Sequence, residues 1–579
     1  MNQLVIPDSS HSSPVHNLLA ALGARFTVSR LESSTAQVGG RSGALLLSES
    51  QFVDLCEGAG SRVHSPQDLF HGFSNVLLYP FSGTPKGREA LGRVLAGQVS
   101  LLPMSESGSA DYSVTSSRSM CGPFAGLRVA EIKCSRDVAV RVEGSSYPSE
   151  PIVDSTAGSL LRKFNLPGLN LFVLSSTAVF DVAAEHIQNL DVTECFSGLV
   201  PLLFFLRYCQ IDRPASPLRW AHWIIDDPNL RPKYGFLDLK ELVRCVRETG
   251  AAASIAFIPW NHRRTSREIV NLYRDNWPHL SICVHGCDHT GSEFSTKTMS
   301  DASPLIDLAV KRMKGLQEKT SLRWEPVMVF PQGRFSGEAM RALRASELLA
   351  SVNTELVDCQ TGQGVKGGEL LKPAITSFGG FPLFMRRPPA EPAANFALDL
   401  ILGKPCLIVT HHQYFEHGLN SLRSAVEILN RLEPQLTWTN LERGIESTYS
   451  VGPHANEALD VRVYSARTVF IPQGERPLVI SKAETDPATV EVFVDGSQVV
   501  TNSVNGDIRF AVSNSKKEAM TIEARSFVPA KPHLAQSTKY RLKVTARRYL
   551  TEVRDNYLCR FPKLTARAAS LQQMLHRTR

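Results

Sequence analysis

Read for the spacing of its apolar positions, the 579-residue chain falls into four stretches of different rhythm. In residues 1–205, short β-rich runs such as GALLLSE, NVLLYPF, GLRVAEIKC and NLFVLSS alternate with helical stretches such as Arg88 to Ala96, which predicts an α/β domain of its own. From 213 to 448, strand and helix patterns alternate regularly, with strands predicted at 218–226, 251–259, 280–286, 326–331, 349–353, 381–387 and 405–412. Apolar strands joined by crossover helices form a parallel sheet, open or closed into a barrel, with functional residues at the C-terminal strand ends. Thr265-Ser-Arg-Glu268 reads as a capping box, Gly250 as a helix stop and Ser336 as a helix start. From 455 to 545 the alternation is strict and helix-free, with tight turns at Asp495-Gly496 and Gly506-Asp507, the pattern of a small β-sandwich. Residues 546–579 read as a helical tail. In it Tyr549, Leu550, Val553, Tyr557 and Leu558 share one face, and Leu564, Ala568, Leu571 and Leu575 another.

Composition adds limits. With 43% hydrophobic and 21% charged residues the chain is neither disordered nor fibrous. The formal charge of +7 is unevenly placed: residues 541–579 hold 10 basic and 2 acidic side chains, which leaves 53 basic and 54 acidic in the other 540. A balanced body gives no reason to expect a nucleic-acid partner. The basic tail is expected to pack on the sandwich as a solvated amphipathic helix, or to dock a partner, and to lie apart from any reaction. The Gly-rich pieces QVGGRSG and FSGTPKG match no phosphate-loop spacing and read as turns. Eleven cysteines without a CxxC pair read as free thiols. The N-terminus shows no basic segment leading into an apolar one, and LVPLLFFL (199–206) is too short to span a bilayer. The expectation is a cytoplasmic protein without a membrane span.

Chemistry-bearing residues collect at three predicted strand ends of the middle stretch: Asp226-Asp227-Pro228, His285-Gly286-Cys287-Asp288-His289, and Thr410-His411-His412. Adjacent carboxylates after an apolar strand are costly to bury unless paired, protonated or on a metal. Two histidines four apart, with glycine between them to turn the chain, can converge on one cation. Two histidines and a carboxylate leave positions on a divalent cation for water and substrate. A second carboxylate can then take the water's proton and a third histidine can protonate a leaving group. A structural zinc site built from Cys283, His285, Cys287 and His289 is the rival use of the same run. A glycosidase with paired carboxylates is another reading, and it fits adjacent aspartates beside histidines less well. Trp260 is a candidate sugar-stacking wall, and Asp288 either lines the substrate side or caps its loop; Trp220 and Trp223 are expected in the core.

These motifs, in this order, resemble the polysaccharide deacetylase family, also known as the NodB-homology fold or carbohydrate esterase family 4. The resemblance covers the middle stretch and implies a distorted (β/α) barrel. It assigns the general base to Asp226, metal ligands to Asp227, His285 and His289, and the general acid to His411. It further implies a divalent metal, zinc first, with cobalt, nickel or manganese as the other candidates. The activity it implies is removal of an N- or O-acyl group, acetyl foremost, from a carbohydrate. The chain departs from the family pattern at Gly286, where a hydroxyl residue is usual, and in the third motif. There Val329-Phe330-Pro331-Gln332-Gly333 lacks the arginine that steadies the base, for which Arg334 or Arg387 are the candidate replacements. Gln332 can still offer a backbone N–H to an oxyanion. The missing arginine and the appended domains motivate a second reading, a catalytically weakened barrel that binds glycans within a surface-polysaccharide assembly.

Overall fold

The computed structural model describes residues 3–7, 13–29, 43–59, 66–454, 457–526 and 537–560, apart from positions 292, 473, 485, 487, 488, 505 and 514–517. All seven middle strands form: β1 (Trp220–Asp226), β2 (Ala253–Phe257), β3 (Leu280–His285), β4 (Glu325–Val329), β5 (Ala350–Asn353), β6 (Leu383–Met385) and β7 (Cys406–Thr410). They pair in parallel in the order β6-β5-β4-β3-β2-β1-β7. A parallel bridge between Arg387 and Ile408 then joins β7 to the chain just past β6. The barrel is nearly closed.

Alternation along the strands sorts their side chains into two sets. Trp220, Ile224, Ala256, Cys283, Val329, Phe384 and Leu407 pack together inside the barrel. Trp223, Ile225, Ile255, Ile282, Val284, Met328 and Ile408 face the surrounding helices. The lower end is plugged by helix Leu441–Glu446, whose Leu441 and Ile445 join the interior cluster. There buried Glu325 accepts a hydrogen bond from Ser281 and another from the Glu442 backbone N–H at 2.7 Å. Trp220 and Trp223 are core residues, and their indole N–H groups donate to Thr448 and Thr410. Gly250 does end a helix in the left-handed conformation, and the Ser336 hydroxyl does cap another. The expected capping box is corrected: Ser266 is the N-cap, it makes no side-chain cap bond, and Glu268 instead pairs with Lys240 on the neighbouring helix.

Ahead of the barrel lies a mixed eleven-stranded sheet. Its parallel part runs Phe26–Ser29, Leu4–Pro7, Gly43–Leu47, Phe73–Leu78 and Leu169–Leu174, and antiparallel strands continue it. The apolar run at 199–206 belongs to helix Val192–Tyr208, which is buried between this sheet and the barrel, so one apolar core continues from the first strands into the barrel's outer layer. Among the described residues no helix is long and apolar enough to cross a membrane. In FSGTPKG the backbone N–H groups of Ser82, Gly83 and Thr84 all donate to the Glu49 carboxylate. That loop is a turn filled by the chain's own side chain; QVGGRSG lies largely outside the described residues. All eleven cysteines are unbridged.

After the barrel come two packed sheets, five-stranded and four-stranded, that enclose a core of Val461, Phe470, Ile480, Val492, Phe510 and Ile522. This is the expected sandwich. The C-terminal helix, Thr538–Asn556, departs from expectation. It starts earlier, and it packs on the barrel mouth rather than on the sandwich, because its buried side chains are mainly charged ones that find partners on the polar rim. Leu564, Ala568, Leu571 and Leu575 lie outside the described residues.

Candidate functional site

The inward parity of β1, β3, β6 and β7 reaches the mouth at Asp226, His285, Arg386 and His411. Asp227 and His289 are brought beside them by backbone in the left-handed region, with φ of 84° and 54°, a conformation that non-glycine residues rarely adopt. Such outliers gather where the surroundings impose them, commonly at functional sites.

The Asp227 Oδ1 atom lies 3.5 Å from His285 Nε2 and 3.2 Å from His289 Nε2. Ligand atoms ~2.05 Å from a tetrahedral zinc would stand about 3.3 Å apart. His285 Nδ1 lies 3.0 Å from the Val329 carbonyl oxygen, which can only accept, so Nδ1 carries a proton. In the neutral ring the Nε2 lone pair then faces Asp227, although, against the effect of its burial, the Asp227 and Asp226 carboxylates raise the His285 pKa. Burial pushes the His289 pKa down to about 4, which leaves that imidazole neutral at pH 7. Asp227 Oδ1 is buried without a hydrogen-bond partner. An orphaned carboxylate oxygen facing two imidazole nitrogens suits a cation, and the three residues fit a divalent metal.

Behind them, Asp226 is fully buried and held by Arg386, whose Nη1 and Nη2 each donate to one carboxylate oxygen at 2.8 Å. Burial alone would raise the Asp226 pKa, but Arg386, with His285 and His411, outweighs it and holds the carboxyl below its usual range. His411 Nε2 stands 3.9 Å from Asp226 Oδ2, and its side chain is 55% exposed, open to an incoming molecule. Arg386 is the residue that sequence reasoning missed. Of the two arginines offered in its place, Arg387 faces outward and pairs with Asp399 and Glu391, while Arg334 is exposed and makes no ion pair among the described residues.

Gly286 explains the loop between the two histidines. Its φ is +63°, and a Cβ there would stand 2.4 Å from Glu293 Oε2 and 2.4 Å from Pro331 Cγ. The space goes to Glu293, whose carboxylate accepts from the backbone N–H groups of Cys287, Asp288 and His289 at 3.1, 2.8 and 3.2 Å and so shapes the turn. Cys287 and Asp288 group with Glu293, whereas His285 and His289 group with Asp227, so the four residues of the rival zinc site do not converge. Cys283 lies in the barrel interior beside Ser254.

The remaining candidates are placed as follows. Gln332 is exposed, with a left-handed backbone (φ 59°), on the loop after β4. Asp288 is buried, and it accepts from Arg312 at 2.6 Å and from Tyr540 at 3.2 Å. Trp260 packs edge-on to Tyr549 of the C-terminal helix, and the Arg264 guanidinium lies against both rings.

Three motifs in family order therefore meet at one mouth of a seven-stranded parallel barrel. The central barrel is a nearly closed parallel α/β barrel with the three motifs on one rim, the architecture that the resemblance implied. No family model matches the sequence, and no curated protein matches it. Among solved structures, the chain is similar to Agd3, described as a novel carbohydrate deacetylase, at 11% identity over 91% of this chain and 99% of that one, with a TM-score of 0.45. It is also similar to a family 4 carbohydrate esterase from Streptomyces lividans, at 12% identity over 39% of this chain and 98% of that one, with a TM-score of 0.25. A pseudoenzyme of the same esterase family from Bacillus anthracis is similar at 12% identity over 39% and 64%, with a TM-score of 0.23.

Proposed function

We propose that the NodB-type barrel is a divalent-metal-dependent hydrolase that removes an acyl group, acetyl foremost, from a carbohydrate. One observation carries the reading: Asp227, His285 and His289 present three ligand atoms to one point, directly beside an Arg386-held Asp226 and an open His411. When bound there, a divalent cation polarises the acyl carbonyl and acidifies water, and zinc is the first candidate. Asp226 then accepts the proton of the attacking water. Its lowered basicity suits a water already acidified, and the two Arg386 hydrogen bonds fix the carboxylate plane so that it cannot rotate away. The Gln332 backbone N–H is the candidate second donor to the oxyanion. His411 gives its proton to the departing amine or alkoxide. The substrate reaches the site at His411, whose side chain stays 55% exposed while the C-terminal helix covers Trp260, Asp288 and the neighbouring His412.

The glycan-binding alternative drew its motives from the missing third-motif arginine and from the appended domains, and Arg386 answers the first by supplying an ion pair to Asp226. The test is an acetate-release assay on acetylated sugars, run with metal analysis of the same sample. Asp226→Asn is expected to lose turnover by at least about 100-fold while keeping its metal. Full activity in that variant would end the assignment, and bound metal with no release from any acylated sugar would favour the binding module.

A further inference from the structure

The C-terminal helix does more than cover the rim. Tyr540 donates to Asp288 after β3; Glu552 takes both Nη groups of Arg264 after β2 at 2.5 and 2.9 Å. Asp555 accepts from Tyr234 after β1 at 2.7 Å and faces His412 after β7 at 3.8 Å; Asn556 accepts from the Gly235 N–H at 2.8 Å. These anchors draw the helix along the mouth past four consecutive barrel loops. On the same inner face, one turn before Glu552, sits Arg548.

Arg548 is 1% exposed, and its Nε and Nη2 groups have no hydrogen-bond partner. Its charge acts on Asp227 and His289, the two left-handed residues of the ligand cluster, and on Tyr234 beside them. No carboxylate lies within ion-pair distance of its guanidinium among the described residues. A buried guanidinium with idle donors is costly, and one carboxylate that feels its charge is that of Asp227, which a bound cation would claim. A cation and Arg548 would then stand side by side as a positive pair. What balances such a pair is a small anion placed between them.

We propose that the C-terminal helix completes the barrel site, with Arg548 holding a small carboxylate anion, of the kind acyl hydrolysis releases, beside the Asp227–His285–His289 cluster. The inference rests on the reading of that cluster as a metal centre. It makes the last helix part of the binding machinery, reached through the fold from more than 250 residues downstream of His289.

The experiment uses the full chain loaded with zinc, with acetate as the probe and neutral acetamide as its control, followed by calorimetry or by broadening of the acetate NMR signal. Wild type is expected to bind acetate in preference to acetamide. Arg548→Gln should weaken acetate by about tenfold or more and narrow the preference by the same factor, the size of a lost charge-assisted bond, while zinc alone keeps some preference for the anion. Zinc affinity, measured separately by chelator competition, should stay equal or tighten, since a like charge has gone. Acetate binding unchanged in R548Q overturns the proposal, and so does a loss of zinc affinity, which would make Arg548 a support for the ligands. Proteolysis of the 538–556 segment reports whether the helix stays docked. If R548Q releases it, Arg548→Met, which keeps the aliphatic stem, must show the same selective loss of acetate, and wild-type binding there is equally fatal. Absence of acetate release from every acetylated sugar would sink the hydrolase reading alone, because acetate binding is read without turnover.

Discussion

Restoring the hydroxyl residue that the family usually carries at position 286 should damage this protein. In Gly286→Ser the new Cβ would have to lie 2.4 Å from both Glu293 Oε2 and Pro331 Cγ, at a backbone φ of +63°. The left-handed conformation costs a side-chain-bearing residue about 1–2 kcal/mol. Moving Glu293 gives up hydrogen bonds from the backbone of Cys287, Asp288 and His289 to a carboxylate, at about 1.5–3 kcal/mol for each one lost. If Pro331 yields and only one bond breaks, the loop loses about 2.5–5 kcal/mol, summing those two terms. His285 and His289 flank this turn, so zinc affinity, measured by chelator competition, should fall by about tenfold or more, as for other groups that orient metal ligands. Gly286→Ala should behave alike, since the Cβ is the obstacle. A Gly286→Ser protein that binds zinc within about twofold of wild type would refute the role given to Glu293, and so would a serine clearly better than alanine.

Arg386→Lys keeps a charge near Asp226 but loses the two-pronged grip; kcat should drop by about tenfold to 100-fold with zinc affinity unchanged, while Arg387→Lys should alter melting temperature and not kcat. At the plugged end, burial pushes the Glu325 pKa from 4.5 up to about 8. The folded state therefore binds the proton more tightly, so the contribution is fully present below pH 4.5 and is lost as pH rises towards 8, by up to a few kcal/mol. Glu325→Gln should flatten that fall, and a melting-temperature difference between variant and wild type that does not grow from pH 5 to 8 counts against it. Glu552→Ala leaves Arg264 without its carboxylate partner; loosening the C-terminal helix by about 1–3 kcal/mol should speed proteolysis or hydrogen exchange in 538–556 several-fold, ahead of the barrel.

The barrel was legible because its strands are buried on both faces and its helices carry clear ends: all seven strands fall where the apolar runs predict them. The site motifs were legible for the same reason, since each sits where an apolar strand stops. Arg386 was legible too, although it was passed over. In FPLFMRR the period of two puts Phe384 and position 386 inside, and position 387 outside, so parity alone prefers the first arginine to the second. What hid it was that the arginine reaches Asp226 from β6 and not from the β4 loop where the family motif places it. Glu293 was hidden differently. Its role depends on a glycine seven residues earlier making room, and neither spacing nor hydropathy marks such a pair.

The C-terminal helix shows what amphipathicity leaves open. Tyr549, Leu550, Val553 and Tyr557 belong to the apolar face read from the sequence, yet they stand outward, with Leu550 70% exposed. Arg548, Glu552 and Asp555, which read as the solvated side, are the ones that are buried. A hydrophobic stripe predicts burial only when the receiving surface is apolar, and the mouth of this barrel is not: it offers Arg264, Tyr234, Asp288 and the carboxylate of Asp227. Against such a rim the charged face has the better partners, because each buried charge there meets an opposite charge or a hydroxyl, save the one guanidinium left idle beside the Asp227–His285–His289 cluster. The same packing sets the described part of the basic tail, helix Thr538–Asn556, on the rim that carries the ligand cluster. Deleting it would uncover the rim loops after β1, β2, β3 and β7 at once, and remove two charges of the last helix, Arg548 and Arg554, that act on Asp227.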